Sequence, residues 1–265
     1  MSFVIIKERR LSMQIRRFQK KKNGMYTVFL EDGNHYDFSE EVILKYELLI
    51  KKEITPAKLE IILQENRKWE GYYIALRLLA KVAKTKKEVE TFLQTKGYDT
   101  TIFQFAVTKL TEQGYINDNV YAKSYVHQQI VSTNHGPYRI ERDLKQKGVK
   151  EADIADALVE YTPLIQKQKV KKLILKKIQA NHHKSNRYLQ GKITNDLLAE
   201  GFDRTIVADV MAQTVFTDDH DIAQREYEKI YQKLSRKYEG SELNYKVRQK
   251  MYALGFSSGE YQENK

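Results

Sequence analysis

Four segments of the chain share one pattern of apolar positions that ends in glycine. In each segment an apolar residue is followed after four positions by Leu or Met, after four more by Gly, and then directly by another apolar residue. The copies are Val89, Leu93, Gly97 and Tyr98; Ile140, Leu144, Gly148 and Val149; Ile193, Leu197, Gly201 and Phe202; and Val247, Met251, Gly255 and Phe256. The glycines lie 51, 53 and 54 residues apart. This spacing predicts a helical unit that is repeated along the chain.

The glycine of each copy stands where a helix would end. In a Schellman motif a glycine with a left-handed backbone follows the helix, and the residue after it touches the residue four positions before it. Gly114, with Leu110 before it and Tyr115 after it, predicts the same ending for one more helix. We therefore expect helices to stop at all five glycines.

The intervals between these glycines fit three short helices per unit. In the clearest copy the pattern predicts helices over 119–132, 138–147 and 152–161, with Asp118 as the N-cap of the first. Thr85 and Glu88 have the spacing of a capping box, and Gly136 before a proline predicts the start of another helix. The predicted fold class is mainly α, with tandem three-helix repeats in an elongated curved array.

The first 38 residues differ from the rest, because their apolar and polar positions alternate as in β-strands. Turn signals at 23–24 and 32–34 predict a small meander of two or three strands, with the basic segment 16–22 as an exposed turn. Ser39 and Thr55 are expected N-caps of the helices that follow. The expected domains are a β meander with a first helix, a long helix with the first repeat, and three further repeats, at 1–55, 56–117, 118–161, 162–216 and 217–265.

The composition agrees with helices and narrows the class of protein. There are 12 Gly and only 3 Pro in 265 residues, and no cysteine, which excludes disulfide scaffolds, thiol nucleophiles and cysteine-based metal sites. No apolar run approaches the roughly 20 residues of a membrane helix, and the apolar stretch 3–6 is too short for a signal peptide. We expect a cytoplasmic protein.

Two acid-free stretches carry most of the positive charge. Residues 161–195 contain nine Lys or Arg and residues 9–30 contain seven, with no Asp or Glu in either stretch. The whole chain has a net charge of +11, so the remaining residues are mildly acidic together. A basic surface usually has an acidic partner, and nucleic acid is the first candidate.

The stretch 161–195 contains a predicted helix with a basic face. Lys169, Lys172 and Lys176 are expected opposite its apolar stripe, and a row of ammonium groups suits a phosphate backbone because bound lysines release counterions. A solvated lysine face is the alternative. A base also precedes the first apolar residue in three of the four copies. The candidate binding residues are Lys169, Lys172, Lys176, Lys177, Arg187, Lys192, Arg139, Lys246, Arg16, Arg17, Lys20, Lys21 and Lys22.

Signals for catalysis are weak. The sequence has no Walker loop and no His-Glu-x-x-His motif. Asp218, Asp219 and Asp221 around His220 could suggest a metal site, but acids before a helix are more often caps. We expect no cofactor, no metal and no small-molecule substrate. A sequence-specific helix-turn-helix regulator and a protein scaffold remain as alternatives.

An ordered series of motifs resembles the RecX family of regulatory proteins. The matching positions are Leu110, Gly114, Tyr115, Ile116, Asn117, Asp118, Tyr121 and Ala122, then Gly136, Arg139, Ile140, Leu144, Lys147, Gly148 and Val149, then Ile154, Ala157 and Leu158. The β module and the long basic unit resemble the longer form of the family. The resemblance implies tandem three-helix repeats and a non-catalytic modulator of RecA. Such a protein lies along the RecA filament on DNA and generally inhibits ATP hydrolysis, strand exchange and co-protease activity.

Overall fold

The computed structural model describes residues 12–21, 24–216 and 218–263, and in these residues it has four strands and twelve helices. The elements are β1 (Met13–Lys20), β2 (Tyr26–Leu30), β3 (His35–Phe38), α1 (Glu40–Lys45), β4 (Glu53–Ile54), α2 (Pro56–Leu79), α3 (Lys86–Thr95), α4 (Thr100–Glu112), α5 (Asp118–Ser132), α6 (Pro137–Gln146), α7 (Glu151–Leu158), α8 (Pro163–Ala180), α9 (Asn186–Ala199), α10 (Arg204–Ala212), α11 (Asp219–Leu234) and α12 (Gly240–Ala253). The predicted fold class, mainly α with a small N-terminal β module, is confirmed.

The β module is one antiparallel sheet with the strand order β3-β2-β1-β4. Its core is formed by buried apolar side chains of the sheet and of α1 and α2, among them Val28, Phe38, Ile43 and Ile62. This packing supplies the stability that a few strands cannot have alone.

The predicted meander is confirmed as the three strands β1, β2 and β3, but the expected exposed turn over 16–22 was wrong. The sheet has a fourth strand, β4, which pairs with the start of β1 through Met13 and Ile54. Its two residues are too short to produce an alternating pattern, so the sequence did not reveal it. Residues 16–20 lie in strand β1 and not in a turn, so the strand continues through most of the basic segment. Lys22 lies outside the described residues.

The helix starts follow the predicted capping chemistry. The hydroxyls of Ser39 and Thr55 accept hydrogen bonds from the first turns of α1 and α2, and Thr85 with Glu88 forms the complete capping box of α3. The expectation for Asp118 was wrong. Asn117 caps α5 by accepting the N–H of Val120 (3.1 Å), while Asp118 is the first residue of that helix.

All five glycine endings are confirmed as Schellman motifs. Gly97, Gly114, Gly148, Gly201 and Gly255 have φ between 77° and 93°. In each motif the residue after the glycine donates its N–H to the carbonyl of the Leu or Met at the expected position, for example Phe202 to Leu197 at 3.1 Å and Phe256 to Met251 at 3.0 Å. The repeated sequence pattern therefore has one structural meaning throughout.

The chain divides into two compact units, Met1–Tyr121 and Ala122–Lys265. The first holds the β module and α2–α4, whose core contains Val89, Leu93 and Leu110. The second holds α6–α12, and one of its cores contains Val247, Met251 and Phe256. Within the described ranges, no helix is both long and apolar enough to cross a membrane.

Candidate functional site

In the second unit, the glycine turn that ends α9 packs against the start of α6. The N–H groups of Gly136 and Tyr138 donate to the carbonyls of Glu200 (2.8 Å) and Gly201 (3.0 Å). A Cβ atom at Gly201 would clash with the backbone nitrogen of Arg139, and a Cβ atom at Gly136 would clash with the backbone of Gly201. Both glycines are therefore needed for a close approach of two backbones, in addition to the positive φ of Gly201.

The same contact recurs between α12 and α9. Ser185, the N-cap of α9, donates its N–H to Leu254 (3.0 Å) and its hydroxyl to Gly255 (2.9 Å). A Cβ at Gly255 would come within 2.6 Å of the Cβ of Tyr188. Thus the end of α9 meets the start of α6, and the end of α12 meets the start of α9, although the last group has only two helices, α11 and α12, in the described residues. We call these two contacts the glycine joints.

Side chains reinforce the joint between α9 and α6. Arg139 forms an ion pair with Glu200 (2.7 Å), and the hydroxyl of Tyr138 donates to Asp203, the N-cap of α10 (2.9 Å). Hydrogen bonds from the Thr205 hydroxyl, then from Tyr138 and from the backbone of Ile206, lower the pKa of Asp203 to about 2. Arg139 and Tyr138 are therefore engaged within the fold.

We expect the change Tyr138→Phe to raise the pKa of Asp203, because it removes one donor to the ionised carboxylate. The pKa of Asp203 should remain below its ordinary value of 3.8, since the Thr205 hydroxyl still donates a hydrogen bond to the carboxylate. The stabilisation from this carboxylate is present above its ordinary pKa and is lost as the pH falls through its folded pKa. An NMR titration of the Asp203 carboxyl carbon measures the shift, with Tyr252→Phe on α12 as the control. An unchanged Asp203 titration in Tyr138→Phe would contradict the assigned hydrogen bond.

Three lysines of α8 hold neighbouring elements. The ammonium group of Lys169 donates to the carbonyls of Ile130 (2.5 Å) and Gln129 (3.4 Å) at the end of α5, and burial lowers its pKa. Lys167 pairs with Asp209 (2.6 Å) and Lys177 with Asp196 (2.5 Å). From its helical position we expected Lys169 to be one of a row of exposed lysines. In the structure its ammonium group instead binds the end of α5.

The role of Lys169 can be tested against its neighbour Lys172. We expect Lys169→Met to lower the free energy of unfolding by about 1–2 kcal/mol, because two carbonyls lose a charged donor. Lys172 is exposed, so Lys172→Met should change the free energy of unfolding by less than about 0.5 kcal/mol. Urea unfolding followed by circular dichroism measures both values. Equal effects of the two changes would show that Lys169 does not support α5.

Of the six remaining bases of this region, five are exposed, and the sixth, Lys184, lies over the ring of Tyr188 (4.2 Å). Lys171, Lys172 and Lys176 project from α8, and Arg187 and Lys192 project from α9. We call these five residues the α8–α9 basic surface. Lys171 was not among the predicted binding residues, although its position opposite the buried Leu173 on the helix could have indicated it.

The candidate bases outside this surface have varied surroundings. Lys246 lies over the ring of Tyr238 (5.9 Å). In β1, Arg16 and Arg17 are exposed, and Arg17 lies over Phe29 (3.9 Å). Lys20 is paired with Glu40 (3.8 Å), and Lys21, just after β1, with Asp37 (2.6 Å). The bases that precede the repeated apolar positions also differ in their surroundings: Arg139 is ion-paired with Glu200, and Lys192 is exposed.

The acids near His220 serve as caps. Asp218 caps α11 by accepting the N–H of His220 (3.0 Å), and Asp219 accepts the N–H of Asn186 at the start of α9 (2.9 Å). Asp118 does the same for α3 by accepting the N–H of Lys86 (3.0 Å). In the part of the chain that the structure describes, no group of three or more His, Cys, Asp or Glu could hold a metal ion.

The chain also contains a Gly-x-Ser-x-Gly string at 255–259. In hydrolases this motif lies on a sharp turn from a strand to a helix. Here it follows the end of helix α12, and Ser257 donates its N–H to Glu260 (2.7 Å). The string therefore lacks the structural context of a nucleophile.

Tandem three-helix groups, a β module and exposed bases define a helical repeat protein with a charged surface. The family model described as "RecX, second three-helix domain" matches residues 117–158. Regulatory protein RecX of Oceanobacillus iheyensis is 31% identical over 248 residues, which cover 90% of this chain and 91% of the relative. Regulatory protein RecX of Listeria monocytogenes serotype 4a is 28% identical over 243 residues and 90% of each chain. The chain therefore belongs to the RecX family of regulatory proteins.

Solved structures agree with this assignment. A crystal structure of regulatory protein RecX superposes with a TM-score of 0.68 at 28% identity, covering 74% of this chain and 99% of that one. The crystal structure of RecX from Lactobacillus salivarius superposes with a TM-score of 0.54 at 32% identity, covering 56% of this chain and 97% of that one.

Proposed function

We propose that this protein is a non-catalytic regulator that acts in the cytoplasm on the RecA filament and its DNA. It lowers ATP hydrolysis, strand exchange and co-protease activity of the recombinase. The observation that carries the proposal is membership of the RecX family along nine tenths of the chain. The repeat architecture supports the proposal, because helical repeat proteins present extended surfaces that bind large ligands.

The α8–α9 basic surface is the proposed contact with the DNA of the filament. Its lysines and arginine are exposed, whereas Lys167 and Lys177 beside them are neutralised by aspartates. A phosphate backbone would take up the exposed charges and release counterions. Lys169 and Arg139 act through the fold, by holding α5 and the joint between α9 and α6.

Binding to RecA-coated single-stranded DNA tests the proposal directly. A labelled oligonucleotide is titrated with the protein in the presence and absence of RecA and a slowly hydrolysed ATP analogue. We expect tighter binding to the coated strand and a steep fall in affinity as salt is raised. Indifference to the RecA coat would contradict the proposal.

The same titration separates the alternatives. A helix-turn-helix regulator would prefer one duplex sequence and would keep that preference in moderate salt. A protein scaffold would bind RecA with no dependence on DNA. We expect neither result, but equal affinity for oligonucleotides of unrelated sequence.

A further inference from the structure

The β-sheet carries a row of planar side chains across three strands. The strand register pairs Arg17 with Phe29, and Phe29 with His35. The guanidinium carbon of Arg17 lies 3.9 Å from the centre of the Phe29 ring. The rings of Phe29 and His35 lie 5.8 Å apart with 26° between their planes. We call these three residues the Arg17 row.

The Arg17 row lies on the side of the sheet away from the core of the module. Neighbouring residues of a strand point to opposite faces, and Val28, next to Phe29, is completely buried together with Phe38. Arg17 and His35 are exposed, and Phe29 is half-buried between them. Both ends of the stack are therefore open to a ligand.

The charge around the row favours an anionic ligand. Strand β1 and the next residue contain Arg16, Arg17, Lys20 and Lys21 and no acid. Asp37, the acid of strand β3 on the far side of β2, accepts hydrogen bonds from Lys21 (2.6 Å) and from the Thr27 hydroxyl (2.7 Å). Its charge is thus balanced within the sheet, and the arginines are left to attract phosphates.

We propose that the Arg17 row binds single-stranded nucleic acid by stacking with its unpaired bases. Aromatic rings and guanidinium planes both stack on bases, and this contact tolerates any sequence because every base has a π face. Duplex DNA hides these faces, so the row distinguishes the single strand from the duplex. Arg16 lies in the same strand, where it would neutralise a phosphate of the bound segment. The site uses none of the residues of the α8–α9 basic surface and requires no recombinase.

The change Arg17→Lys tests the stacking, because it keeps the charge and removes the planar group. Fluorescence anisotropy is measured without RecA on a labelled oligothymidylate and on an abasic strand of equal length, which has the phosphates but no bases. We expect Arg17→Lys to weaken binding to oligothymidylate at least about fivefold and to leave binding to the abasic strand unchanged. His35→Leu, at the other exposed end, should act in the same direction.

Arg77→Lys is the matched control, since it makes the same substitution at an exposed arginine of α2, outside the sheet. It should leave both affinities unchanged, and circular dichroism should show equal folding of all variants. The inference is overturned if Arg17→Lys binds oligothymidylate as the unchanged protein does, or if it loses affinity equally for the abasic strand. If Arg17→Lys alters only the effect on RecA, the row contacts protein, and the inference fails while the proposed function stands.

Discussion

Replacing Gly201 by alanine should destabilise the second unit by about 3 kcal/mol or more. A left-handed backbone costs an L-residue about 1–2 kcal/mol, and an additional atom in a well-packed site costs about 1–3 kcal/mol. Both costs apply at Gly201, because its φ is 88° and its Cβ would lie on the nitrogen of Arg139. Urea unfolding followed by circular dichroism measures the change in the free energy of unfolding.

Gly97→Ala is the matched control for this prediction. Gly97 ends α3 with the same Schellman motif and a φ of 82°, but no heavy atom lies within 4 Å of a Cβ built there. It should therefore cost only about 1 kcal/mol, from the backbone alone. Equal losses at the two positions would show that the glycine joint contributes nothing beyond the helix ending.

Charge reversal on α8 should produce the largest loss of binding. In the triple variant Lys171→Glu, Lys172→Glu and Lys176→Glu, we expect affinity for single-stranded DNA to fall at least about tenfold at moderate salt. The slope of log K against log salt should become shallower by about 2, since each lost phosphate contact contributes about 0.7 for a single strand. Anisotropy titrations over a range of salt concentrations measure both quantities.

A second triple variant controls for net charge. Lys52, Lys81 and Lys150 are exposed lysines outside α8, and their replacement by Glu changes the net charge by the same amount. We expect this control to retain most of the affinity and the salt slope. If both variants lose affinity equally, attraction is a property of the whole protein, and the α8–α9 basic surface has no special role.

The sequence was sufficient for the helix boundaries that carry local signals, whereas the helix predicted over 152–161 ends at Leu158 as α7. Glycine endings and the caps at Ser39, Thr55 and Thr85 depend on residues within one or two turns. The capping of α5 shows the limit of this reasoning. Asn117 and Asp118 are both residue types that cap helices well. Asn117 becomes the cap of α5, because the carboxylate of Asp118 accepts a hydrogen bond from the distant backbone N–H of Lys86.

Features that depend on distant contacts could not be predicted. Lys169 has the helical position of an exposed residue, and only the packing of α5 near α8 gives it two carbonyls to bind. Gly201 could be recognised as a helix ending, but not as one side of a joint with Gly136, which lies 65 residues earlier. The Arg17 row depends on the register of three strands, which local sequence signals do not specify.

The rate of ATP hydrolysis by RecA on single-stranded DNA tests the central claim most directly. It is measured with and without this protein at amounts stoichiometric with RecA, and with the triple α8 variant in parallel. We predict that the unchanged protein lowers the steady rate and that the variant requires a higher concentration for the same effect. An unchanged rate at stoichiometric amounts of the protein would contradict the assignment as a RecA regulator.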